Sequence, residues 1–94
     1  MNKNKPISSM TTPRFADVAT FFRLPINKNL KDLDYCISGV PWDGGTTNRP
    51  GARHGPREVR NASSLIRLYH PISLKSPYDN FEIADIGDCP VNPA

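Results

Sequence analysis

The chain has 94 residues, enough for one small domain and not two. Its 12 Lys and Arg against 9 Asp and Glu leave a net charge of +3, with both signs mixed along the sequence; a nucleic-acid footprint would gather the positive charges on one face or tail, so no nucleic-acid partner is expected. No apolar run approaches the roughly 20 residues of a membrane span, and MNKNKPISSMTTP has lysines with no apolar run behind them, so neither a membrane partner nor a secretory signal is read and a cytoplasmic protein is the expectation.

In chain order, residues 1–12 are polar, with Asn, Lys, Ser and Thr, and read as a flexible N-terminal arm. Residues 13–94 read as part of a single domain. The first segment, PRFADVATFFRLP (13–25), lies between prolines. Phe15, Val18, Ala19 and Phe22 recur at spacings of three, one and three, which predicts a short helix with one apolar face. Pro13 suits its first turn and Pro25 stops it. Its phenylalanines need a cover, either the same domain or a neighbouring subunit, and the sequence favours neither.

Residues 26–34, INKNLKDLD, form a polar connection. YCISGVP (35–41) is short and mostly apolar, carries β-branched residues and lacks strict alternation, as expected of a strand covered on both faces. A glycine-rich loop follows, and Pro56 opens a helix. Val59, Ala62, Ile66 and Tyr69 form one apolar stripe with Leu65 beside it, while Arg57, Arg60, Ser64 and Arg67 fall largely on the other side. Pro71 ends this helix, because His70 before it is biased away from helical angles. ISLKSPYDN (72–80) is a loop, FEIADIG (81–87) a second strand, and DCPVNPA leaves that strand with two prolines.

Strand, helix, strand is a βαβ unit, whose strands run parallel. A parallel sheet needs both faces covered, and one crossover helix leaves a face bare and both edges open. The expectation is therefore the front of a longer α/β chain. With parallel strands, Cys36 and Cys89 fall at opposite ends of the sheet, roughly 20 Å apart at about 3.3 Å per residue. A disulfide needs Cα atoms within about 7 Å, so two free thiols are read. There is no CxxC and no Cys/His cluster, so a structural zinc site is not expected.

The connection after the first strand, GVPWDGGTTNRPGARHGPREVR (39–60), lies where ligand sites form in open α/β sheets, at a carboxyl end. Asn48-Arg49-Pro50-Gly51 reads as a turn, with Pro50 presetting φ. The loop has neither G-x-x-x-x-G-K-[ST] nor G-x-G-x-x-G, so a nucleotide site is not expected. Asp43 and His54 form a possible metal pair without a third ligand, and a hydrogen-bonding role for His54 is favoured. Arg49 and Arg53 could fork onto a substrate carboxylate or hold the loop together, and the structural role is favoured. Asp85 and Asp88, three apart on an extended segment, point in different directions and make no ready metal pair. Asp88 leaves the strand at its carboxyl end and could reach a site, but a role as cap or brace for the following loop is favoured.

The blocks PRFA, ATFFRLP, GVPWDGGTTNRPGARHGPREVRNASSLIR and ADIGDCPVNP together resemble the N-terminal part of the agmatinase-like ureohydrolases of the arginase superfamily, the group of agmatinases, guanidinobutyrases and guanidinopropionases. The resemblance covers roughly residues 13–94. It implies a three-layer α/β fold around a mostly parallel sheet, of which this chain would supply one βαβ unit and an N-terminal helix. It further implies hydrolysis of a small linear guanidino compound, such as agmatine or 4-guanidinobutyrate, to urea and an amine. In that family two Mn²⁺ ions bridge the attacking hydroxide, and the assemblies are trimers or hexamers.

The family's metal ligands come from GGDHS-like, DAHxD-like and SxDxDxxDP-like blocks, and none of these occurs here. The resemblance places them downstream of ADIGD, so no residue of this chain is expected to be catalytic or to bind metal, and His54 and His70 match neither role. It places the glycine-rich loop over the rim of the metal cleft. Thr46, Thr47, Asn48, Arg49, Arg53 and His54 are the candidates closest to substrate, and Trp42 is expected to pack under the loop. Two further readings stay open: a non-catalytic subunit-interaction module derived from the same fold, and an anion-binding loop in an unrelated α/β protein.

Overall fold

The computed structural model describes residues 4–92. Two parallel strands, β1 (Tyr35–Gly39) and β2 (Ile83–Asp88), are joined through one helix, α1 (Gly55–Ser63). Single turns of 3-10 helix punctuate the connections at Phe21–Arg23, Leu30–Asp32, Ala52–His54 and Pro77–Asp79. The expected βαβ unit is present, with its strands parallel.

The pairing register carries the main irregularity. Tyr35 faces Ile83, Cys36 faces Ala84 and Ile37 faces Asp85, yet Gly39 faces Asp88. Two steps on β1 therefore match three on β2, so one extra residue is accommodated around Ile86–Gly87, where Gly87 has φ +83°. An extra residue shifts the alternation of faces by one. Asp85 and Asp88 consequently share a face, which corrects the expectation that they point in different directions.

β2 has a neighbour on its other side as well. Ile26 makes an isolated parallel bridge to Asp85, with the Asp85 N–H donating to the Pro25 carbonyl at 3.1 Å and the Asn27 N–H donating to the Asp85 carbonyl at 3.0 Å. The start of the connection at 26–34 thus behaves as a minimal edge strand, and β2 is central.

The helix expected over 13–25 does not form. Asp17 has φ +71°, and the only helical turn is Phe21–Arg23, with Phe22 and Arg23 both at positive φ. Tertiary partners override the local pattern. The Phe21 N–H donates to the Asp85 carboxylate at 2.9 Å and the Phe22 N–H to the Ser63 hydroxyl at 2.9 Å, bonds that an α-helix would have spent on its own carbonyls. Phe21 and Leu24 enter the small core with Ile83 and Ala84, whereas Phe15 and Val18 stay exposed.

α1 is shorter than expected and turned over. It ends at Ser63, and the next three N–H groups make tighter bonds to residues three back. The Ser63 and Ser64 hydroxyls both donate to the Arg60 carbonyl, which competes with the helix for that acceptor. Arg60 and Ser63 face the sheet and the Phe21 turn, while Val59 and Ile66 are exposed. The apolar stripe is on the outside, the reverse of the sequence expectation.

Residues 4–12, read as a flexible arm, run against this body. The Asn4 backbone and side-chain amides both donate to Glu82, the Ile7 N–H donates to the Arg23 carbonyl, and Arg23 donates to the Thr12 carbonyl. Residues 1–3 lie outside the described residues.

Candidate functional site

β1 ends at Gly39, and Pro41, which has no N–H, carries the chain off the ladder into the loop. At Gly39 the backbone, the Asp88 carboxylate and Pro56 of α1 converge. A Cβ there would land on the carboxylate and within 2.6 Å of Pro56 Cβ. The loop therefore starts from a tightly packed point at the carboxyl ends of both strands.

Asp43 ties the loop. Its side chain is 2% exposed, although the residues around it are open to solvent. It accepts from the Gly51 N–H at 2.7 Å and from Arg53 through Nε at 3.0 Å and Nη2 at 2.8 Å. Gly51 reaches this position with φ +141°, a conformation for which glycine is suited. The Thr46 N–H and hydroxyl both donate to the Asp43 carbonyl. One residue thus closes two turns, 43–46 and 43–53. The Arg53 guanidinium and the two backbone N–H groups hold the Asp43 carboxyl well below the usual carboxylate range, against the opposing effect of burial.

Trp42 lies against Gly44 and Gly45, half exposed, as expected of an aromatic packed on the loop. A Cβ at Gly44 would sit 2.7 Å from its ring. Pro41, Trp42, Gly44 and Arg53 form one wall of a cleft of about 300 Å³ whose other wall is Val91 and Asn92, just past β2.

The six candidate residues divide into two groups. Thr46 and Arg53 are spent on Asp43, so the structural role favoured for Arg53 is the one observed. Thr47, Asn48 and Arg49 stand exposed at the crest of the clamped loop. His54 is exposed at the end of the Ala52–His54 turn, and its N–H donates to the Gly51 carbonyl. Asp43 and His54 recruit no third ligand, and among the described residues no group of three or more His, Cys, Asp or Glu could hold a metal ion. Cys36 and Cys89 are free, as expected.

The residue that sequence reasoning missed is Arg60. Opposite the apolar stripe of α1, its Nε and Nη2 fork onto the fully buried Asp85 at 2.9 and 3.0 Å and its Nη1 meets Asp88 at 2.6 Å. Its guanidinium also lies 4.2 Å above the Phe21 ring. Burial would raise the Asp85 carboxyl, but Arg60 and the Phe21 and Gly87 N–H groups outweigh it and leave the group lowered. One signal was available: a carboxylate inside a strand read as buried on both faces needs a partner, and α1 is the neighbouring element that offers arginines.

A parallel α/β unit with a long, clamped loop at its carboxyl edge places the chain among α/β proteins that carry their sites on such loops. Residues 33–94 match the Arginase family, and the chain belongs to that family. It is 55% identical over 89 residues to the guanidinopropionase of Pseudomonas aeruginosa, covering 95% of this chain and 28% of that protein. It is 42% identical to the guanidinobutyrase of the same organism, covering 97% of this chain and 30% of that protein. The solved structure of proclavaminate amidino hydrolase from Streptomyces clavuligerus superposes with a TM-score of 0.82 at 38% identity, covering 87% of this chain and 27% of that one. The chain thus spans less than a third of these relatives, and its fold is an α/β portion of the arginase-like fold.

Proposed function

We propose that the chain is the N-terminal portion of a ureohydrolase that hydrolyses a small linear guanidino compound, such as agmatine, 4-guanidinobutyrate or 3-guanidinopropionate, to urea and an amine. The observation that carries this reading is the clamped loop at the carboxyl edge of a sheet that superposes on an amidino hydrolase. Relatives named for neighbouring guanidino substrates, at identities up to 55%, support it.

In this reading the chain shapes the cleft and does not perform the chemistry. The family's two Mn²⁺ ions do not fit the residues present, because Asp43, Asp85 and Asp88 are already engaged by Arg53 and Arg60. The metal ligands and the proton-transferring groups then belong to the GGDHS-like, DAHxD-like and SxDxDxxDP-like blocks outside these 94 residues. Asp43 and Arg53 hold the loop, and Thr47, Asn48 and Arg49 at its crest, with Thr46 and His54 beside them, are the residues nearest substrate. A fixed crest orients hydroxyl and amide groups before substrate arrives, which lowers the entropic cost of alignment. The assembled protein is a cytoplasmic homo-oligomer, trimer or hexamer, with no nucleic-acid or membrane partner. No helix of the described residues is long and apolar enough to cross a membrane.

The test is urea release from agmatine, 4-guanidinobutyrate and 3-guanidinopropionate with Mn²⁺ by the polypeptide that carries these residues at its N-terminus. Turnover of at least one supports the reading. Turnover of none by folded, Mn²⁺-loaded protein contradicts it.

A further inference from the structure

Three observations meet at the carboxyl end of β2. The bulge at Ile86–Gly87 turns Asp88 onto the face of Asp85. Arg60 spans the two acids, with its buried fork on Asp85 and its third nitrogen on Asp88, whose side chain is 37% exposed. Beyond Asp88 the chain forms the Val91–Asn92 wall of the cleft opposite Trp42 and Arg53. Asp88 also borders a second hollow with Pro41, Arg53, His54 and Arg57, so it stands between the two flanks of the loop.

From this geometry we infer that Arg60 and Asp88 are positioning residues for the substrate cleft, which rests on the ureohydrolase reading above. The buried Arg60–Asp85 pair anchors α1 to β2 and serves the fold. The exposed arm, Arg60 to Asp88, fixes the direction in which the chain leaves β2. It thereby sets the distance between Val91–Asn92 and the clamped loop. The Cys89 N–H bond to the Gly39 carbonyl at 2.8 Å continues the ladder one step, and Pro90–Asn92 follow directly from it. Arg60 suits this task because one planar fork can serve two acids at once, whereas lysine presents a single point charge.

The experiment uses the full-length Mn²⁺-loaded enzyme and the variant Asp88→Ala, which removes the acceptor of the exposed arm and leaves the Asp85 pair in place. The expected result is a KM raised about ten-fold or more with kcat within about two-fold, and a melting transition close to that of the parent. Asp88→Glu, which keeps a carboxylate within reach of Arg60, is expected to recover most of the lost affinity. An unchanged KM overturns the inference. So does an equal fall in kcat and kcat/KM at constant KM, and so does loss of folding in both variants, which would assign Asp88 to stability alone. If the parent enzyme turns over no guanidino compound, the ureohydrolase reading fails separately. Hydrogen exchange then decides the geometry: faster exchange around Val91–Asn92 in Asp88→Ala supports the tether, and unchanged exchange overturns it.

Discussion

At the scale of single residues, two carboxylates illustrate how arginines organise this chain. Asp43 sits in an open loop but keeps a nearly inaccessible carboxylate because Arg53 and the Gly51 N–H surround it. Its folded-state pKa is depressed, so its contribution to stability is present above the unfolded value of about 3.9 and is lost as pH falls through the lower folded value. Followed by carboxyl-carbon NMR, Asp43 is expected to stay ionised below the usual carboxylate range and, in Arg53→Ala, to titrate clearly higher than in the parent, because the largest lowering cause is gone. Unaltered titration in the variant would mean that the Arg53 guanidinium does not hold the Asp43 carboxylate. Asp85 is the buried counterpart. In the full-length protein, Arg60→Ala leaves it charged and unpaired and is expected to cost about 3–5 kcal/mol by denaturant unfolding. A loss under about 1 kcal/mol would mean that the pair is not buried in the assembled protein. The sequence shows that Asp85 needs a partner but not which one, because two arginines, Arg57 and Arg60, lie on α1 and only the three-dimensional register selects Arg60.

At the scale of elements, both strands and the start of α1 were legible. Pro56, the β-branched runs and the turn residues report local preferences that the fold keeps. The segment at 13–25 was not legible, because its apolar spacing fits a helix while its N–H groups are claimed by Asp85 and Ser63, more than forty residues away. The orientation of α1 was misread for a related reason: an apolar stripe marks the side that wants cover, and here the sheet-facing side is held by an ion pair. The bulge was invisible, since Gly87 alone does not distinguish a bulge from an ordinary strand glycine. Two substitutions examine it. Gly87→Ala forces a side chain onto φ +83° and within 3.2 Å of Lys28 Cε, and is expected to cost at least about 1 kcal/mol. Gly39→Ala drives a methyl into Asp88 and Pro56 and is expected to cost about 1–3 kcal/mol. Denaturant unfolding of the full-length protein measures both, and a neutral Gly39→Ala would contradict the close packing at the loop's origin.

At the scale of the whole molecule, the core is small. Phe21, Leu24, Ile83 and Ala84 are its buried apolar residues, while Phe15, Val18, Leu65, Ile72 and Leu74 remain more than two-thirds exposed. Such a balance offers little apolar burial to offset chain entropy. The 94-residue chain alone is expected to melt broadly, and a sharp cooperative transition of a monomer would argue against this. Family membership was legible from motif blocks spread along the sequence, whereas the side chains that the loop binds internally were not. The loop's chemistry depends on which side chains the Asp43 clamp consumes and which it leaves at the crest. In the proposed reading this chain builds the rim of a guanidino-hydrolysing cleft whose metal-bearing parts lie elsewhere in the protein. Urea release with Mn²⁺, compared between the 94-residue chain and the full-length polypeptide, addresses it most directly. Turnover of a linear guanidino compound is expected from the full-length protein and none from the short chain. Turnover by the short chain, or its absence from the folded full-length protein with every such compound, would contradict it.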